Sequence, residues 1–493
     1  MQKESMTQTQ PSAQRANYKW WVFGAIAVGL FVSVMDQSGL TIAIPQMADS
    51  FHAGIPTVQW VVLGYVLTIS ALMLPMGRIG DIIGRKRVYL IGFLVFAASG
   101  VMAGLSPNLG AVIAFKCLQG VGSAMTQATS MAIVTSTFPA QERGKAIGLI
   151  TTMVGIGAVA GPVVGGVLVQ ALGWRAIFLI GAPLGALAAF AGLVVLSVDK
   201  GQSQGMAGGL RSFDYLGAAL STAALIAFLL IMSFGYRAGW TSLVVLGGAV
   251  AVVILLAVFL AWERRASQPL IPLALFQRAT FSLGTGANLL SFMAGTAMFF
   301  LMPFYLQQVL GYSPGQSGMI LVAPAICFVI LGPLAGRLSD RFGTRPFTML
   351  GAALSTVAFL LFSRLTESSP LAFVVLGLFL GGAGMAIFQS PNTSAVLGAV
   401  ERERYGVATA FLNLVRNSGN MTGLALATTI VTATMAAQGF APSLSAVSEA
   451  GSEGVKSAFA LGLTRAFLLS SVFSAAALIL SAFQPKDISQ KSR

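Results

Sequence analysis

Along the chain, long apolar runs alternate with short polar breaks, and most runs are too long for the helices of a soluble core. A helix needs about 20 mostly apolar residues to cross the hydrocarbon of a bilayer. Runs of this kind cover residues 20–44, 58–76, 88–105, 109–137, 146–170 and 176–197. Two more follow at 215–234 and 242–262, then a last set at 280–309, 317–335, 347–364, 371–396, 405–437 and 458–483. The pattern predicts an all-α polytopic membrane protein of about fourteen helices.

Composition agrees: 56% of the 493 residues are apolar and only 9% are charged. A soluble domain carries about 25% charged residues. That excludes a soluble globule, a secreted disulfide scaffold and a disordered chain. The net charge of +14 would suggest nucleic acid in a soluble protein. Here the loops explain it. Of the 29 Lys and Arg, only Arg175, Arg237, Arg364, Lys456 and Arg465 fall on the side opposite the termini. Lys116 and Arg416 lie inside spans, which leaves 22 on the terminal side. Cations favour the cytoplasmic face, so both termini are expected there, in a multi-pass cell-membrane protein that binds no nucleic acid.

Several chemistries are missing. His52, in an outer loop, is the single histidine, and Cys117 and Cys327 lack metal-type spacing. Neither a His-based metal cluster nor a Ser/His triad is expected, so no enzyme. No G-x-x-x-x-G-K-[ST] loop occurs, so ATP is not the expected energy source. The first apolar run is too long for a signal-peptide core and is expected to remain as a span.

The chain also repeats itself. Gly77-Arg78-Ile79-Gly80-Asp81-Ile82-Ile83-Gly84-Arg85-Lys86-Arg87 follows the second run, and Gly336-Arg337-Leu338-Ser339-Asp340-Arg341-Phe342-Gly343-Thr344-Arg345 follows the tenth. Gln119-Gly120-Val121-Gly122 matches Gly381-Gly382-Ala383-Gly384, and Glu142-Arg143 matches Glu403-Arg404. All three pairs lie about 260 residues apart, which indicates two six-helix halves with two extra helices between them. The expected divisions are a tail at 1–19, bundles at 20–198 and 280–484, a linker with the extra helices at 199–279, and a tail at 485–493. Residues 199–205 read as a flexible linker. Parallel repeats place a substrate site at their interface near the bilayer midplane.

The Gly77–Arg87 segment resembles the loop signature of the major facilitator superfamily, and its duplication strengthens the resemblance. Gly155-Ile156-Gly157-Ala158-Val159-Ala160-Gly161-Pro162-Val163-Val164-Gly165-Gly166 resembles an antiporter signature. Met35-Asp36-Gln37 with Thr41-Ile42-Ala43-Ile44-Pro45 resembles the first-helix motif of the fourteen-helix drug:proton antiporters. Lys116-Cys117-Leu118-Gln119-Gly120-Val121-Gly122 is similar to their fourth-helix motif, with Lys116 where the family usually has arginine. The resemblance implies the major facilitator fold and proton-driven export of lipophilic compounds by alternating access.

A carboxylate at the bilayer centre costs about 2.5–3.5 kcal/mol, so Asp36 should be neutralised, paired or wetted. Burial favours the neutral form of an acid, and a nearby ammonium favours the charged form. That opposition makes Asp36 the candidate carrier of the coupling proton, tuned by Lys116; the alternative is a purely structural Asp36–Lys116 pair. Lysine, unlike arginine, can lose its proton, so Lys116 is open to two readings, tether or coupling group. Gly77, Asp81, Gly84, Arg85, Asp340 and Arg341 are the gating-loop candidates, with Asp81 able to pair with Arg85 or face a helix N-terminus. Gly157, Gly161, Pro162 and Gly165 form the antiporter motif, a close-packing seam that the resemblance assigns to closing a leak. Asn413, Arg416, Asn417 and Asn420 share one helical face. That stripe either lines a cavity or serves as interhelical glue. Gln127, Asn288, Gln389 and Asn392 are further candidate polar anchors for substrate.

The expected partners are protons, the lipid bilayer and a small hydrophobic or amphiphilic substrate, with no cofactor beyond the proton gradient. A monomer is expected, and a periplasmic adaptor is left open. The competing reading is a dedicated exporter or flippase of one lipid or metabolite on the same fold. One acid deep in a span suggests one proton per cycle, and hence neutral or singly charged substrates rather than dications.

Overall fold

Each apolar run becomes a helix because a backbone in hydrocarbon must satisfy its own hydrogen bonds. The computed structural model describes residues 12–485 apart from 54, 59, 140–141, 197–212, 267–268, 313, 402–403 and 441–452. The expected 199–205 linker and most of both tails therefore lie outside the described residues. Among the described residues there is no strand. The long helices are α1 (Ser12–Ser50), α2 (Trp60–Ile83), α3 (Arg85–Gly104), α4 (Leu109–Thr137), α5 (Arg143–Leu172) and α6 (Arg175–Val195). The central pair is α7 (Tyr215–Ala238) and α8 (Leu243–Glu263). The remainder are α9 (Ala279–Phe304), α10 (Val322–Phe342), α11 (Thr344–Phe362), α12 (Leu371–Gly398), α13 (Tyr405–Ala437) and α14 (Glu453–Ala482). Thirteen helical segments among the described residues are long and apolar enough to cross a membrane. The fifth expected span is the 30-residue α5, which carries no charge after Lys145.

Local chemistry sets the ends. Asn108 caps α4 by accepting from the Ala111 N–H at 2.9 Å, and Asp214 caps α7 through Gly217 at 2.8 Å. Gly84 (φ 103°) and Gly343 (φ 87°) each occupy the single non-helical position between two helices, a conformation that favours glycine. One expectation needs correction. The two duplicated motifs are not loops: α2 runs through Ile83 and α10 through Phe342, so only one glycine in each motif turns the chain. The ninth span ends in a π-helical turn, Tyr305–Val309, just after Pro303, whose ring cannot supply the regular hydrogen bond. The first helix begins at Ser12 rather than at residue 20.

In the first half, α1 packs on α5 and α6, α4 on α2 and α3, and α3 on α6. The second half repeats this, with α10 and α11 on α12, and α9, α11 and α13 on α14. The halves meet through α5 with α10 and α12, and through α13 with α2 and α4. One mixed apolar core joins Ile147 to Val396, Tyr405 and Leu412, near the end of the bundle where α1 begins (the terminal end). Towards the opposite end the cores separate. Leu40, Val61, Trp174 and Phe178 cluster within the first half, and Met298, Leu301 and Phe459 within the second. The central pair seats α7 against α2 and α13, with α8 on α7.

Candidate functional site

Asp36 on α1 and Lys116 on α4 form an ion pair at 2.7 Å with side chains 2% and 0% exposed. The Lys116 ammonium also donates to Gln119 Oε1 at 2.6 Å, one turn along α4 on the same face. It lies 4.7 Å from the ring centre of Tyr65 on α2 and 5.2 Å from that of Phe178 on α6, within cation–π range. The Tyr65 hydroxyl is 2.7 Å from Ser123 Oγ. The other Asp36 oxygen, Oδ1, is buried without a hydrogen-bond partner. Gly181 of α6 lets the backbone pass there, since a Cβ would lie 3.3 Å from that oxygen. The arrangement has a chemical consequence. A proton on Asp36 would cancel the anion, and the ammonium would keep an amide oxygen and two ring faces.

The glycine segment that resembles an antiporter signature packs against the part of α1 that carries Asp36. A Cβ on Gly157 would meet Phe31 O at 3.1 Å, one on Gly161 would meet Met35 O at 2.6 Å, and one on Gly165 would meet Gly39 O at 3.0 Å. Ser38 Oγ donates to Gly157 O at 3.2 Å. This seam joins α5 to α1 inside the first half, and it fixes the turn of α1 that carries Asp36. The side chains of Thr41, Ile42, Pro45 and Pro162 lie outside the described residues.

The duplicated motifs hold the halves together at the terminal end. Asp81 accepts from Arg85 Nη2 at 2.9 Å and from the Gly406 and Val407 N–H groups at 3.2 Å each. Asp340 accepts from the Gly144 and Lys145 N–H groups at 2.9 and 3.1 Å. Each carboxylate thus caps the first turn of a helix in the other half, where the helix dipole favours negative charge. Gly77 allows α2 to approach α13, since a Cβ there would stand 2.7 Å from Gly406 O. Arg85 is fully buried with Asp81. Arg341 is exposed, with its guanidinium 5.3 Å from the centre of the Phe342 ring. Going inward from this end, the α5–α10 contact continues through Gly148 and Gly332 to Thr152, which donates to Phe328 O at 3.1 Å.

The proposed substrate-lining residues divide. Asn413, Arg416, Asn417 and Asn420 are all half-buried on one stripe of α13. Asn417 Nδ2 donates to Ser70 Oγ of α2 at 2.9 Å, and Thr296 Oγ1 of α9 donates to Asn420 Oδ1 at 2.8 Å. Gln127 and Gln389 are likewise half-buried. Asn392 is fully buried and joins Gly284 O to Gln484, so in this structure it is interhelical glue rather than lining. Asn288 is 2% exposed, and its Oδ1 has no partner.

Gln119, Tyr65 and Phe178 were not singled out as site residues. The i to i+3 spacing of Lys116 and Gln119 was the available signal. For the two rings, which come from other helices, nothing in the sequence distinguished them from core.

The profile of the Major Facilitator Superfamily matches residues 26–211 and 284–488. Over 399 residues the chain is 34% identical to the riboflavin transporter RibZ of Clostridioides difficile, covering 81% of this chain and 85% of that protein. Over 416 residues it is 31% identical to the tetracenomycin C resistance and export protein of Streptomyces glaucescens, covering 84% and 76%. In fold it is similar to the proton:xylose symporter XylE bound to 6-bromo-6-deoxy-D-glucose. The TM-score is 0.66 at 14% identity, covering 96% of this chain and 97% of that one.

Proposed function

Because this chain belongs to the Major Facilitator Superfamily, and so is a multi-pass membrane transporter rather than an enzyme, we propose that it exports lipophilic compounds in exchange for protons. The observation that carries this reading is the buried Asp36–Lys116 pair. A buried ion pair is often no more stable than an apolar pair of similar volume, so stability alone is a weak reason to place one in a membrane. The pair has the parts of a proton carrier: one acid, a cation held independently of it by Gln119, Tyr65 and Phe178, and one carboxylate oxygen without a partner.

In this reading the terminal end faces the cytoplasm, which the distribution of Lys and Arg supports, and the two Asp caps hold that end shut. Protonation of Asp36 from the outside loosens α1 from α4. Because the glycine seam ties α1 to α5, that loosening reaches the α5–α10 contact. Opening the terminal end then breaks the four backbone hydrogen bonds to Asp81 and Asp340. Return of the proton to the cytoplasm resets the pair.

The test uses purified full-length protein in liposomes with an imposed pH gradient. Wild type should export lipophilic compounds against their gradient, and Asp36→Asn should bind them but lose proton-driven export. Full proton-driven export by Asp36→Asn would overturn the assignment. The resemblance to a protein named for riboflavin favours a second reading, a dedicated transporter of one metabolite. Breadth separates the two: resistance of an efflux-deficient host to several unrelated compounds supports the first, and movement of a single compound supports the second.

A further inference from the structure

Asp36, Lys116 and Arg416 lie deep within spans, and the structure pairs the first two with each other. Lys116 occupies Asp36, the one acid at depth, at 2.7 Å. The third, Arg416, is half-buried and has neither hydrogen bond nor ion pair among the described residues. It stands eleven residues into α13, roughly 16 Å from that helix's terminal end at 1.5 Å per residue. The neighbouring helices offer it no carboxylate at that depth. α4, α7, α9 and α12 contain no acid, that of α14, Glu453, lies at its opposite end, and that of α2, Asp81, is committed to Arg85 and the α13 N-terminus. The flanking amides are tied back on either side, Asn417 to Ser70 of the first half and Asn420 to Thr296 of the second. Arg416 therefore stands between the halves with its guanidinium uncompensated.

We infer that Arg416 is the recognition point for an anionic oxygen on the transported compound, a carboxylate or an ionised phenol on a lipophilic scaffold. This rests on the export reading above and names its substrate class. A guanidinium presents paired donors that match a carboxylate bidentately, and it cannot be neutralised by losing a proton. The acid deep within the spans, Asp36, is already paired with Lys116, so a cationic substrate finds no second carboxylate there among the described residues. The interface between the halves is thus electrically suited to lipophilic acids. Asn413, one turn from Arg416, is placed to contact the same group.

The experiment measures binding to the full-length protein in zwitterionic lipid nanodiscs, using three probes on one scaffold. They are a dansylated amino acid with a free carboxylate, its carboxamide, and its trimethylammonium analogue. Wild type should bind the acid at least about tenfold more tightly than the amide, as a charge-assisted hydrogen bond allows, with the ammonium weakest. Arg416→Gln should bring acid and amide to within about twofold by weakening the acid far more than the amide, with a wild-type melting temperature showing that the variant is folded. Arg416→Lys should retain part of the preference. Equal binding of acid and amide by wild type, preference for the ammonium, or an equal loss of both acid and amide in Arg416→Gln would each overturn the inference. Binding needs no gradient, so an acid preference that survives while Asp36→Asn still exports normally would sink the proton-coupling reading and leave this one standing.

Discussion

Asp81 and Asp340 hold reciprocal positions: each carboxylate, carried by one half, accepts from two successive N–H groups in the first turn of a helix in the other half. The two differ in their own surroundings. Asp81 has Arg85 beside it, whereas the matching position in the second half is Thr344.

Asp81→Ala should therefore slow export more than it weakens substrate binding, because the caps lie at the terminal end, away from the Arg416 stripe. Losing hydrogen bonds to a charged group costs about 1.5–3 kcal/mol, enough to shift the balance of closed and open states by about tenfold or more. The variant also leaves Arg85 buried without its anion, so Asp340→Ala should be the milder of the two. Initial rates and half-saturation concentrations in liposomes check this. A raised half-saturation concentration with unchanged maximal rate would count against a gating role.

Lys116→Met should abolish coupling and lower stability by about 3–5 kcal/mol if Asp36 stays ionised, the usual cost of stripping one partner from a buried pair. Lys116→Arg keeps a permanent cation between the same rings. It should retain proton-driven export if the residue serves only as a fixed charge. Should arginine fail as completely as methionine while melting like wild type, Lys116 itself exchanges the proton.

Gly161→Val should disable the protein, because even a Cβ would press to 2.6 Å from Met35 O and 2.8 Å from Gly39 N. Backbone cannot yield cheaply there, and overpacking of this kind costs about 1–3 kcal/mol. Gly166→Ala, on the same helix, meets nothing within 4 Å and should behave as wild type. Parallel thermal melts and export assays distinguish them. Equal tolerance of both would remove the seam from the mechanism.

If one proton is exchanged per cycle, export of a neutral compound moves one net charge, to which the membrane potential contributes about 2.3 kcal/mol per 100 mV. Export of a monoanion moves two charges in the favourable direction, about 4.6 kcal/mol per 100 mV. A dication would move charge against the potential. Export measured with potential and pH gradient imposed separately should show potential-driven transport of monoanions and little of dications. Efficient export of a dication would be incompatible with a single embedded acid.

The helices were legible because the bilayer imposes a length on each of them. The expected fourth and thirteenth runs coincide with α4 and α13 end to end. The reciprocal Asp caps were half legible: the repeat located both acids, and only the structure shows that each reaches across to the opposite half. The partners of Lys116 were less so. Gln119 lies on its own helix at a readable spacing, but Tyr65 and Phe178 arrive from helices whose rotation depends on packing. Asn392 shows the limit of residue type as a guide. An intramembrane amide suits either a cavity or a helix joint, and three-dimensional neighbours decide which.

The central pair of helices straddles the contact between α2 and α13. Thr222 Oγ1 of α7 donates to Ala71 O of α2 at 3.1 Å, and Trp240, in the turn before α8, donates to Thr429 of α13 at 2.9 Å. Phe213, Ala218, Phe259 and Ile271 share one apolar core with Leu74 of α2 and Val407 of α13. If α2 and α13 separate during transport as proposed, this insert cannot remain fully docked on both, and its attachment would oppose the same motion as the Asp81 cap. Much of α8's surface faces outward from the protein, including Val250, Val253 and Ile254, all more than half exposed. The insert thus joins one apolar face to the seam between the halves and turns another, apolar as well, outward where lipid would meet it.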